Sequence, residues 1–145
     1  MQTDQDEGAT PILAAGGILA GEGENEGKIA LVRRRRYDGE IGLPKGKVKK
    51  HEDLLSAATR EVKEETGYGC EIVGFAGSTH YQVKMRPKAV MYFMMKITGD
   101  SPPAPVDGEE IDGVEWMTPS DAVTSLTHHQ DRDLVTTVFR LPRAK

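Results

Sequence analysis

Apolar and polar positions along the chain follow two different periods. The runs "ILAAGGILA", "KIALVRRRR", "CEIVGFAGSTHYQV", "KAVMYFMMKI" and "IDGVEWM" are short, apolar or alternating, and rich in β-branched and aromatic residues, which predicts β-strands. The first two are separated by "GEGENEG", whose glycines and acids predict a hairpin turn, and the third and fourth by a turn near Arg86 and Pro87. From Asp53 the period changes: Leu54, Leu55, Ala58 and Val62 recur at helical spacing and Gly67 supplies the stop. Asp53, or Glu52 beside it, favours the helix start. The glycines and proline of "YDGEIGLPKGKVKK" predict a loop, as do the prolines of "GDSPPAPVDGE". After the last strand, "TPSD" leads into one or two helices across "AVTSL" and "DRDLVTTVFRL", with Ser120 or Asp121 as the cap of the first. Strands with a few interposed helices predict an α/β or α+β sandwich, in which a mixed sheet carries the carboxylate-rich helix on one face.

Length and charge narrow this picture. The 145 residues suit a single domain over 10–145, preceded by an acidic, polar tail over 1–9 that is expected to be disordered. No apolar run approaches a membrane span, and "MQTDQDEG" lacks the basic start and apolar middle of a secretory signal, so a cytoplasmic protein without a membrane partner is expected. The lone Cys70 has no metal-ligand spacing around it and reads as a buried thiol without a role. A formal charge of −4 argues against a protein that coats nucleic acid, although Arg33 to Arg36 form a local basic stretch able to grip phosphates.

The candidate chemistry lies in the helix from Asp53. Residues advance by about 100° per position, so Glu61 and Glu65 point nearly the same way and Glu64 flanks them, while Leu54, Ala58 and Val62 occupy the opposite edge. The acids are therefore expected at the rim of the helix rather than in the core. Like charges at this spacing repel by a few tenths of a kcal/mol per pair, so the cluster alone is compatible with a solvated face stabilised by Arg60 and Lys63. The loop ahead of it, "LPKGKVKKHE", adds Glu52, lysines suited to phosphate, and a glycine whose backbone can approach a ligand.

Gly46, five residues, Glu52, seven residues, then Arg60-Glu61-Val62-x-Glu64-Glu65-x-Gly67: this spacing resembles the Nudix box. Seven fixed identities at fixed spacing have a chance probability on the order of 10⁻⁸ per start position. Strand order and the "EEIDGVEWMTPSDA" segment extend the resemblance over residues 10 to 140, implying the family's α/β/α sandwich with a mixed sheet and the box helix packed on it. "RRRRYDGEIGLPKGKV", "KAVMYF", "EEIDGVEW" and "HQDRDLV" are similar to the bacterial MutT-like and diadenosine polyphosphate hydrolase branch. Tyr68, His51 and the Ile41-Gly42 pair depart from the family's usual aliphatic, glycine and aromatic residues, and none of these changes removes an acid.

Carboxylates facing polyphosphate need a cation, and hard oxygen ligands in a wet site select Mg²⁺, with Mn²⁺ as a substitute. The resemblance implies Gly46, Glu61, Glu64 and Glu65 as metal ligands and Arg60 as the orienting partner of Glu52 or Glu61. For the general base it leaves open Glu64 or Glu61 on the helix, or Glu110 ahead of "IDGVEW", with Glu109 as its rival. Substrate phosphates are assigned to Arg34, Arg36, Lys45, Lys47 and Lys88, with Tyr92 either stacking on a base or filling the sheet. Alternation along a strand allows Arg34 and Arg36, or Arg33 and Arg35, to face the cleft. Trp116 and the histidines are given no ligand role. The expected activity is hydrolysis of a pyrophosphate bond in a nucleotide polyphosphate, a dinucleoside polyphosphate or an (oxidised) nucleoside triphosphate, by a monomer or homodimer. ADP-ribose, inositol pyrophosphates and capped RNA are other diphosphates a box-bearing protein can cleave. A non-catalytic nucleotide sensor would be expected to have lost box acids, and all are present here. A nucleic-acid-binding module lacks the interleaved aromatics such surfaces use.

Overall fold

One strand, β1 (Ile12–Ala20), organises the sheet. It runs parallel to β6 (Arg86–Ile97) along its whole length, from Ile12 opposite Lys88 to Ala20 opposite Lys96. Its other edge is divided. Ala20 pairs antiparallel with Ile29 of β2 (Ile29–Arg34), whereas Ala14, Ala15 and Gly16 pair antiparallel with Lys47, Gly46 and Lys45 of β4 (Lys45–Lys47). The short strand β3 (Glu40–Gly42) and the later strand β7 (Ile111–Met117) both pair with β2, and β5 (Cys70–Val83) pairs antiparallel with β6 at the far edge. The result is a seven-stranded mixed sheet. This is a computed structural model, and it describes residues 10–35, 38–99, 103–104, 108 and 110–143; the expected tail over 1–9 lies outside them.

Helices cover both faces, which is why "ILAAGGILA" is almost continuously apolar. Alternate residues of β1 supply two cores: Ala14 and Ile18 pack with the C-terminal helices, Ala15 and Leu19 with the box helix α1 (Leu54–Thr66). Ala57, Ala58 and Val62 form the buried stripe of α1. Asp53 caps it, accepting from the Ser56 N–H at 2.7 Å, and Gly67 ends it at φ 82°, a left-handed conformation that favours glycine. On the opposite face lie α2 (Pro119–Ser125) and α3 (His129–Val138), contributing Ala122, Leu126, Leu134 and Val135. Among the described residues, no helix is long and apolar enough to cross a membrane.

Three local expectations are corrected. The stretch read as one loop contains β3 and β4, because its backbone is needed to complete the sheet beside β1 and β2. The turn between β5 and β6 falls at Lys84 and Met85, both at positive φ, so Arg86 and Pro87 already belong to β6. The cap of α2 is Thr118, whose hydroxyl accepts from the Asp121 N–H at 3.2 Å, rather than Ser120 or Asp121. The unusual Tyr68 finds an aromatic partner: its ring meets Trp116 edge to face at 5.5 Å between centroids.

Removing the Asp53 carboxylate leaves an N–H in the first turn of α1 unpaired. Asp53→Ala is expected to lower unfolding free energy by about 1 kcal/mol, read as a shifted urea midpoint with an unchanged slope.

Candidate metal and phosphate site

The four acids of the box helix and its approach are each held by arginine. Arg60 donates from Nε and Nη2 to the two oxygens of Glu52 at 2.7 and 2.9 Å, and from Nη1 to Glu61 at 3.1 Å and Glu64 at 3.2 Å. It also reaches the Lys47 carbonyl at 3.1 Å, tying α1 to β4. A guanidinium so engaged orients carboxylates, the position expected of Arg60. Its field, with the Lys49 N–H, holds the Glu52 carboxyl down at about 2.

Glu65 departs from the expected rim position: it is buried at 4% exposure, on the core side of α1. Its partner is Arg34, which donates from Nη1 and Nη2 to the two Glu65 oxygens at 2.8 and 3.0 Å and from Nη2 to the Leu43 carbonyl at 2.9 Å. Arg34, expected at substrate phosphate, is here paired with a carboxylate. The guanidinium is buried and committed to a carboxylate, and along the described part of the basic run the side chains alternate, Arg34 turning inward and Arg33 and Arg35 outward. Arg33 and Arg35 pair with Glu115 and Asp112 at 2.8 and 2.5 Å, and Arg36 lies outside the described residues.

Gly46 sits directly against Glu61. A Cβ added there would overlap the Glu61 carboxylate, so β4 and α1 approach as closely as only glycine permits. Burial, followed by the neighbouring charges of Glu64 and Glu65, raises the Glu61 carboxyl to about 7 against the pull of Arg60. Among the described residues, no three His, Cys, Asp or Glu side chains gather closely enough to cage a metal. The nearest polar partners of these acids are guanidinium groups. The donor chemistry nevertheless fits a hard divalent cation. Every candidate donor is oxygen, Gly46 supplies a backbone carbonyl on the strand pressed against Glu61, and the desolvated Glu61 carboxylate has only one bond from Arg60 against the charges of Glu64 and Glu65.

Cations gather on the other face of β4. Lys45 and Lys47 stand opposite Gly16 and Ala14 of β1, and Lys88 enters at the start of β6. Burial, followed by repulsion from Arg34 and Lys88, brings the Lys45 ammonium down to about 8, while Lys88 is lowered by burial and by Lys47 and Arg34. These lysines repel one another, as a site for a polyanion would. Lys88 also lies 5.7 Å from the centre of the Tyr81 ring. Of the two readings of Tyr92, stacking on a base is corrected and filling the sheet stands: the ring is fully buried in the core with Leu134 and Val135 of α3. Glu110 is exposed, its backbone carbonyl accepting from the Arg35 N–H at 3.0 Å at the Arg34 end of β2, and Glu109 lies outside the described residues.

Sequence reasoning missed the Arg34–Glu65 pair and the buried Asp131. Asp131 shares one face of α3 with Leu134 and Val135, and its carboxyl is raised by burial, beside Lys45, His128 and Arg34. The i, i+3, i+4 spacing within "HQDRDLV" was the available signal. Cys70 is buried as expected, its thiol pushed up to about 11.

The family model of the NUDIX domain matches residues 10–138. The chain belongs to the NUDIX family. An 8-oxo-(d)GTP phosphatase of Mycolicibacterium smegmatis is 30% identical over 141 residues, covering 90% of this chain and 42% of that protein. The chain thus spans less than half of that relative's length, and 33%, 27%, 33% and 61% of four further curated relatives. Its fold is that of the MutT protein from Methanosarcina mazei, with TM-score 0.75 and 22% identity over 91% of this chain and 95% of that one. A Caenorhabditis elegans Ap4A hydrolase superposes with TM-score 0.77 at 23% identity over 89% and 95%. At these identities the two structures speak for the fold alone.

Two outcomes are expected from this geometry. Gly46→Ala should destabilise the protein by roughly 1–3 kcal/mol, whereas Gly74→Ala, where a Cβ meets nothing within 4 Å, should be near neutral in the same urea titrations. Glu61 keeps its proton longer in the folded than in the unfolded chain, so its contribution to stability falls as pH rises from about 4.5 to about 7. In metal-free protein, Glu61→Gln should abolish that loss, gaining on the order of 1–2 kcal/mol over wild type at pH 8 and little at pH 4.

Proposed function

We propose that the protein is a Mg²⁺-dependent hydrolase of a pyrophosphate bond in a nucleotide polyphosphate, with Mn²⁺ as a substitute cation. The observation that carries this reading is the division of charge across β4, with Gly46 pressed on the acid Glu61 on one side and the mutually repelling Lys45, Lys47 and Lys88 on the other. NUDIX hydrolases generally use divalent metal ions. Glu61, Glu64, Glu65 and the Gly46 carbonyl would hold such an ion, which when bound supplies the positive charge that carboxylates and phosphates share.

Lys45, Lys47 and Lys88 bind the phosphate oxygens and fix the chain of phosphates across the strand. Arg60 holds Glu52, Glu61 and Glu64 in register. A carboxylate takes the proton of the attacking water at phosphorus. Glu64, half exposed on the rim, is the first candidate, with Glu61 and Glu110 as its rivals. Among substrates, the likeness over nine-tenths of the chain to an 8-oxo-(d)GTP phosphatase favours a nucleoside triphosphate such as 8-oxo-dGTP. The "LPKGK" and "KAVMYF" segments favour dinucleoside polyphosphates such as Ap4A as the second choice.

Turnover of 8-oxo-dGTP, other nucleoside triphosphates, diadenosine polyphosphates, ADP-ribose and inositol pyrophosphates with Mg²⁺, with products identified after reaction in ¹⁸O-water, tests the proposal. Glu64→Gln should lower kcat by on the order of 10²- to 10⁴-fold at unchanged thermal midpoint. Wild-type protein that binds a nucleotide and turns none over would instead leave a sensor.

A further inference from the structure

We infer that Arg34 is a positioning residue of this site, acting through Glu65 on the turn that presents Gly46 to Glu61, and not a phosphate contact. Its side chain is one-tenth exposed, and it makes three hydrogen bonds: two to the Glu65 oxygens and one to the Leu43 carbonyl. Glu65 in turn accepts from the Lys45 N–H at 2.9 Å. A single buried ion pair thus holds the chain at Leu43 and at Lys45, on either side of Pro44. Gly46 follows immediately.

The fold needs such a tie at this place. β1 pairs with β2 at Ala20 and with β4 at Ala14 to Gly16, and the segment from Leu43 to Lys45 enters where its edge passes from one partner to the other. β2 stays in step with β3, the extra residue of its ladder with β7 being Asp112, so alternation from Ala30 turns Arg34 to the face that carries α1. There its guanidinium meets the one acid of α1 that is buried. Planar and bidentate, it matches a carboxylate in a way an ammonium cannot. Withdrawing it to bind phosphate would leave the Glu65 anion buried and unpaired, the costly half of a broken buried pair.

Two variants and two readouts test this. Amide exchange of the metal-free protein, followed by NMR, should show the Lys45 N–H exchanging about tenfold or more faster in Arg34→Met and in Arg34→Lys, while the amides of mid-α1 keep their protection. With the best substrate, kcat should fall about tenfold or more in Arg34→Lys with KM within about threefold, whereas Lys45→Ala and Lys47→Ala should chiefly raise KM. If Arg34→Met does not fold, Arg34→Lys, which keeps the charge but not the fork, decides both readouts. Wild-type protection of the Lys45 amide in the folded variants, or a raised KM at unchanged kcat, would overturn the inference. Only the kinetic readout rests on the proposed hydrolysis: wild type without turnover would remove that reading and leave the exchange readout to judge Arg34.

Discussion

Four carboxylates concentrated on and around one helix can persist in a folded protein only if something positive stands between them. Here two arginines from different parts of the chain do so. Arg60 lies within the acid cluster and spreads over Glu52, Glu61 and Glu64, while Arg34 arrives from the opposite side of the sheet's gap to neutralise Glu65. The compensation is unequal. Glu52 is held well below the usual carboxylate range and Glu61 well above it, although both touch the same guanidinium. The difference is hydrogen bonding set against burial and like charge. Glu52 takes two bonds from Arg60 and one from the Lys49 N–H, whereas Glu61 is pressed against Gly46 with a single bond, beside Glu64 and Glu65. An acid that is buried and under-compensated is where added positive charge lowers the energy most.

Sheet architecture sets the terms of that arrangement. A strand fully paired along both edges would leave no room for the segment from Leu43 to Lys45 to reach α1. Because β1 shares one edge between β2 and β4, a turn, an arginine and a glycine can enter there while the parallel ladder to β6 keeps the other edge intact. Rigidity comes from that ladder and from the two apolar layers.

How much of this was legible in the sequence depended on whether a feature was local. Strands β5 and β7 and the ends of α1 follow from period, Asp53 and Gly67, all of which act within a few residues. The box spacing marked the acids and Gly46 together. What was not legible was which partner a side chain meets once strands are brought together. Helical angles alone placed Glu65 on the rim, yet the residue opposite it, 31 positions earlier, buries it. Alternation along Arg33, Arg34 and Arg35 held, but it could not say that the inward-facing Arg34 would meet a carboxylate rather than a phosphate. Tyr92 looked eligible for stacking because nothing in "KAVMYF" says that α3 covers it.

The segment "KGK" shows what the correction means physically. Read as a loop, its lysines and glycine have no fixed relation. As the strand β4 they alternate: Lys45 and Lys47 share the face of Gly16 and Ala14, and Gly46 shares the face of Ala15, which packs against α1. Three residues therefore separate two opposite electrostatic environments across the thickness of one strand. Any side chain at the middle position would push the acid away, and a one-residue slip would aim a lysine into Glu61 and expel the glycine from its contact. Register at β4 is thus as much a part of the site as the acids themselves. It is fixed by the antiparallel ladder to β1 on one side and by the Lys45 N–H held on Glu65 on the other.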